Sequence, residues 1–221
     1  MGLSVGPAKI VEGWREACET LMPPEMQAGV KPCFDVAEYW KGGNGAKLYH
    51  RAMARLADSP LTLVHGDVNP GNIWKSTLGK TGNDKYCFAD WQLTRLAPPA
   101  WEFTTSQCGH VPGLASIVDS MKAYHAELCR LDPKIAASYT YAKFEEHVKA
   151  CSVAFWQFIW AFVHASTIMP SLSGEMLQDK MDYTWQKFMP GVLGLMGAAT
   201  TELGLIEFQQ ELLAGPPSAT E

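Results

Sequence analysis

No C-x-x-C pair occurs in the 221 residues, and the six cysteines, at 18, 33, 87, 108, 129 and 151, are scattered. That scatter argues against a structural zinc site and fits free thiols in a reducing compartment, so a cytoplasmic location is expected. A basic-then-apolar leader is also lacking. The chain starts MGLSVGPAKI, which points away from secretion, and Gly6 stands where an N-myristoylation signal takes Ser or Thr. A membrane span wants about 20 mostly apolar residues. The most apolar run, 151–170, is interrupted by Gln157, His164 and Ser166 and reads as a buried helix. Positive charge is not in excess either: 18 basic against 23 acidic side chains give a net charge of −5. General electrostatic attraction to nucleic acid or to an anionic membrane is therefore not expected.

Two phosphate-binding signatures are absent as well. Gly42-Gly43-Asn44-Gly45 followed by Lys47 is glycine-rich, but no Gly-Lys-Ser/Thr closes it and no G-x-G-x-x-G can be laid over it. It reads as a glycine turn ahead of a helix. No repeat recurs at a fixed period.

The composition is that of a globular chain able to form one sizeable core, with 47% apolar and 11% aromatic residues and eight tryptophans. Apolar residues at three- and four-residue steps predict helices over 7–22, 46–57, 113–130, 141–163, 174–189 and 191–204, with a weaker one over 34–41. The longest carries Phe144, Val148, Cys151, Phe155, Phe158 and Phe162 on one stripe, read as core. Leu61 to Val64 predicts a buried strand delivering His65 to a loop. Ile73-Trp74 and 86–89 predict a hairpin, joined by the polar stretch 76–85, with helical character resuming after Asp90.

The chemistry-bearing stretch lies within this segment. His65-Gly66-Asp67 stands five residues before Asn72, and the second apolar run ends in Asp90-Trp91-Gln92. Two carboxylates and an amide at the ends of short strands suit the holding of Mg²⁺ and the aiming of a hydroxyl at a nucleotide phosphate, with Asp67 as base and Asn72 and Asp90 as metal ligands. His65 is expected to brace the loop by hydrogen bonding, and Gly66, Pro70 and Gly71 to shape it. Trp91 and Gln92 are read as packing and bracing residues. A metallophosphoesterase would need an upstream D-x-H and a later G-N-H, and the sequence has neither.

HGDVNPGN followed by FADWQLTRLAPPAWE resembles the catalytic core of the aminoglycoside phosphotransferase and choline kinase superfamily. The DWQ form and PPAWE are most similar to its ecdysteroid kinase-like branch, also called CHK kinase-like. The resemblance is strong over about residues 60–105 and rests on helix pattern elsewhere. It implies an α+β, mostly α fold: a protein-kinase-like C-terminal lobe with a small β-hairpin carrying the catalytic loop. The expected organisation is a helical lead-in over 1–60, the catalytic loop and metal-binding hairpin over 61–110, a helical bundle over 111–208 and a tail over 209–221. It also implies ATP and Mg as cofactors and a small-molecule hydroxyl as acceptor. Where Glu102 stands the family usually has Asp, and Trp101-Glu102 is expected, by resemblance, to brace the segment after Asp90. No V-A-I-K strand or glycine-rich hairpin precedes the motif, so an N-terminal lobe is expected to be missing. The function implied is transfer of the ATP γ-phosphate to a hydroxyl. The alternative is a catalytically inactive kinase-fold remnant serving as a binding or scaffold module.

Overall fold

A computed structural model describes residues 7–68, 70–76, 85–107, 116–167 and 189–215. Along the chain, helices α1 (Pro7–Leu21), α2 (Pro24–Glu38) and α3 (Asn44–Arg55) come first. Strands β1 (Thr62–Val64), β2 (Ile73–Ser76), β3 (Lys85–Phe88) and β4 (Arg95–Ala97) follow. Helices α4 (Pro99–Gln107), α5 (Ile117–Leu131), α6 (Pro133–Ser138), α7 (Tyr141–Thr167), α8 (Met189–Leu203) and α9 (Leu205–Ala214) complete the described chain. This mostly helical chain with small antiparallel sheets is compatible with an α+β, kinase-like fold. The helix expected over 174–189 and the side chains of Phe158 and Phe162 lie outside what is described.

The chain divides into two compact units, 1–57 with 149–221, and 58–148. In the first, Val11, Trp14, Cys18 and Met22 form the buried stripe of α1 and its end. The weak helix expected over 34–41 starts ten residues earlier than its pattern suggests. Pro24 occupies the first turn of α2, where a missing N–H costs nothing. Pro32 is tolerated inside it while Val30, Cys33, Phe34, Val36 and Ala37 are buried. Helix α2 lies very close to α8: a Cβ at Gly197 would come 2.0 Å from the carbonyl oxygen of Gly29, and the Cys33 thiol donates to the Leu193 carbonyl at 2.8 Å. Gly42 and Gly43, both with positive φ, turn the chain from α2 into α3. Arg51, in α3, is buried. Its Nη1 donates to the carbonyls of Leu212 (2.5 Å), Leu213 (3.2 Å) and Gly215 (2.7 Å), the carbonyls that the end of α9 leaves without helical partners. Helix α9 carries order to Ala214, past the expected start of the tail at 209.

The second unit holds two two-stranded antiparallel sheets. Strand β1 pairs with β4 in the register Thr62↔Ala97, Leu63↔Leu96, Val64↔Arg95. Strand β2 pairs with β3 from Ile73↔Phe88 to Ser76↔Lys85, so the expected hairpin strands do pair. Two expectations change. Strand β1 is not buried: Val64 faces the interior, but Leu61 and Leu63 are 65% and 64% exposed, as one face of a two-stranded ribbon must be. Helix does not resume directly after Asp90. A 3₁₀ turn (Trp91–Leu93) and β4 intervene, and Pro99, which cannot donate to a ladder, opens α4. Farther on, Ser116 caps α5 by accepting from the Asp119 N–H, and Asp132 accepts from the Lys134 N–H at the start of α6. Tyr124 stacks on Phe144, with Phe103 edge-on to both.

Candidate active site

Val64 ends β1, and the next three residues form a turn whose hydrogen bonds leave little freedom. The Asp67 N–H donates to Nδ1 of His65 at 3.3 Å. Nδ1 is therefore the acceptor nitrogen, so Nε2 carries the ring proton and donates to the Ala89 carbonyl at 2.7 Å. His65 thereby links the loop to the residue before Asp90. Its ring also lies 4.6 Å from that of Trp91, which is 51% exposed. The Trp91 indole N–H donates to the Phe88 carbonyl at 2.8 Å.

Gly66 has φ +83°, and a Cβ there would sit 2.7 Å from the Leu93 carbonyl oxygen, so only glycine fits without displacing the turn after Asp90. Its N–H donates to Oε2 of Glu102 in the first turn of α4, at 3.0 Å. Oε1 of the same carboxylate is buried with no hydrogen-bond partner. Burial, and secondarily the charge of Glu102, push the Tyr124 phenol up to about 12.

Asn72 ends a short 3₁₀ turn, Pro70–Asn72. Its side-chain nitrogen lies 3.0 Å from the Asp67 carbonyl and 3.1 Å from Asp67 Oδ2. Both partners are acceptors, so the amide must present NH₂ to Asp67, which commits its Oδ1 to the other side. The Asn72 carbonyl accepts from the Ala89 N–H at 2.9 Å, extending the β2–β3 ladder by one bond. Asp90 is the next residue. It has φ 62° and ψ 57°, making it the one described residue other than glycine with positive φ, and its side chain is exposed. Gln92 Nε2 approaches Asp90 Oδ2 at 3.5 Å, a long contact.

The structure thus joins His65, Gly66, Asp67 and Asn72 directly, and brings Asp90 to them through the backbone of Ala89. Glu102 and Leu93 complete the arrangement. No motif spacing flagged Leu93, since its contribution is a backbone carbonyl. Among the described residues no group of three His, Cys, Asp or Glu side chains is placed to hold a metal. An ion here would rest on the Asn72 amide oxygen, the Asp90 carboxylate and oxygens of a ligand. These are hard oxygen donors with an incomplete protein shell, which suits Mg²⁺. A cavity of about 320 Å³ opens elsewhere, lined by α1 and α2 side chains including Arg15, Cys18, Lys31 and Phe34. Of its charged side chains, Arg15 pairs with Glu38 and Lys31 with Asp35.

No curated protein and no solved structure matches the chain. Residues 8–144 match the phosphotransferase enzyme family, APH, a span that covers α1 through the motif to the start of α7. The chain therefore belongs to the phosphotransferase enzyme family.

Proposed function

We propose that the chain is the catalytic part of a small-molecule kinase, transferring the γ-phosphate of ATP to a substrate hydroxyl, in the ecdysteroid kinase-like branch that Asp90-Trp91-Gln92 and Pro98-Pro99-Ala100-Trp101-Glu102 resemble. The observation that carries the reading is the double donation from the Asn72 amide to Asp67. It fixes the carboxylate of Asp67 at the loop and, by the same bond, turns the Asn72 oxygen outward. Asp67 then acts as the base that orients the acceptor hydroxyl and takes its proton, and Asn72 with Asp90 would hold Mg²⁺. The ion, when bound, supplies charge stabilisation for the phosphates. His65 and Glu102 hold the loop, and Trp91 and Gln92 brace the segment around Asp90. Phosphoryl transfer depends on positioning more than on covalent help from the protein, which is what a loop tied to Ala89 and Glu102 offers. Net charge of −5 and free thiols support a reducing, cytoplasmic setting without nucleic acid as partner. No single described helix is long and apolar enough to cross a membrane.

The test is Mg-dependent ATP turnover with a panel of alcohols. Asp67→Ala and Asp90→Ala should each lower kcat by about 10²-fold or more, the usual worth of a positioned base or charge stabiliser. Equal turnover in all three proteins would sink the reading; absence of both turnover and Mg-ATP binding would leave the scaffold alternative.

A further inference from the structure

We propose that Arg95 is an anion-recognition residue beside the loop, and that the alcohol accepted there carries a carboxylate or phosphate group. The substrate class rests on the reading of Asp67 as base; the anion site itself does not. Arg15, Arg55 and Arg130 pair with Glu38, Glu211 and Glu127, and Arg51 donates to carbonyls at the end of α9. Arg95 alone of the arginines makes no hydrogen bond or ion pair among the described residues. Its guanidinium carbon lies 4.7 Å from the centroid of the Trp101 ring instead. Such a contact restrains the group and leaves its planar fork of donors unused.

The ladder explains the placement. Arg95 pairs with Val64, and cross-strand partners share a face. Val64 is buried, so Arg95 leaves the ribbon on the side of α4 and not with the exposed Leu63 and Leu96. Two contacts bring this side of the ribbon to the loop. The Leu93 carbonyl oxygen, two residues before Arg95, stands 2.7 Å from the place of a Cβ on Gly66. Glu102, next to Trp101, accepts the Gly66 N–H at 3.0 Å and leaves Arg95 unneutralised. Asp67 is the following residue. A donor fork held against an indole suits an oxyanion with two acceptor oxygens. Asp67 and Asp90 repel an anionic substrate, and a guanidinium beside them offsets that repulsion while disfavouring an amino alcohol.

The experiment uses the full chain and two readouts. Mg-ATP turnover compares glycerate and glycerol phosphate with glycerol and aminopropanediol, acceptors that differ at one terminal carbon. An anionic acceptor should exceed both of the others in kcat/KM by about tenfold or more, and which of the two does so separates carboxylate from phosphate. Arg95→Gln should raise KM for that acceptor about ten- to hundredfold, the range for a lost charge-assisted pair, with kcat and KM for ATP within about twofold of the parent. Arg95→Lys, which keeps the charge without the fork, should fall between. Arg95 is exposed, so neither substitution opens a cavity. Without nucleotide, the Arg95 Nε–Hε resonance, assigned by its loss in Arg95→Gln, should shift saturably on titration with acetate or inorganic phosphate. The proposal is overturned if neither anion moves that resonance, or if Arg95→Gln raises KM for ATP instead, since the arginine then serves the nucleotide. It is overturned too if a chain that turns over ATP uses the anionic acceptors no better than the others. A saturable shift in a chain that never turns over ATP removes the kinase reading and leaves the anion site standing.

Discussion

At the level of single residues, the turn at Asp90 places a proposed metal ligand in the left-handed region. A Cβ in the left-handed region costs about 1–2 kcal/mol, less for Asp and Asn than for others. Asp90→Gly should therefore raise the unfolding free energy by roughly 0.5–1 kcal/mol, and Asp90→Ala lower it by a similar amount; urea unfolding measures both. A protein stabilised by losing its own carboxylate at this place would show strain retained for a purpose. The meeting of Asn72 with Asp67 was legible in their spacing, because a loop of five residues leaves the amide few places to reach. Glu102 and Arg51 were less legible. One acts on a residue 36 positions away and the other on carbonyls more than 160 away, and no local pattern announces a partner at that distance.

Among the elements, helix stripes were the readable part. Residues 7–21, 44–55 and 189–203 fall close to the predicted spans because one buried stripe dictates each. Strand β4 was missed because three residues carry no usable period, and α2 was cut short because proline reads as a stop even where it starts a helix. The contact between α2 and α8 was invisible, since a glycine in a helix announces only weak propensity. It is testable: a Cβ on Gly197 meets backbone at 2.0 Å. Gly197→Ala should destabilise by about 1–3 kcal/mol as the helices are forced apart. Gly29→Ala finds no atom within 4 Å of its new methyl and should gain up to about 1 kcal/mol from helix propensity. Paired thermal melts of the two variants give the comparison.

For the molecule as a whole, acid should weaken the fold before it reaches the carboxylate range. His147 is buried, with Nδ1 accepting from the Tyr139 hydroxyl at 2.8 Å and Nε2 lying 3.5 Å from Asp58 Oδ1. Burial lowers its pKa, opposed by Asp58 and Glu146 and assisted by Lys143. A base whose folded pKa is depressed binds protons better unfolded. Its stabilisation is complete above the usual value near 6.5 and is lost as pH falls below it. Asp58, held low by its bond to Lys143, adds a second loss only below its ordinary value near 3.8. Urea midpoints should thus drop between pH 7 and 5, and His147→Gln should flatten that slope; an unchanged slope would refute the assignment. The five described cysteines are thiols. Reductant should leave the melting temperature unmoved, and a thiol reagent should label exposed Cys87 ahead of buried Cys18, Cys33 and Cys151. The half-exposed indole of Trp91, lying against His65 beside Asp90, makes the loop its own optical gauge. Emission quenched on adding Mg-ATP, and silent in a Trp91→Phe chain, would register occupancy by light alone.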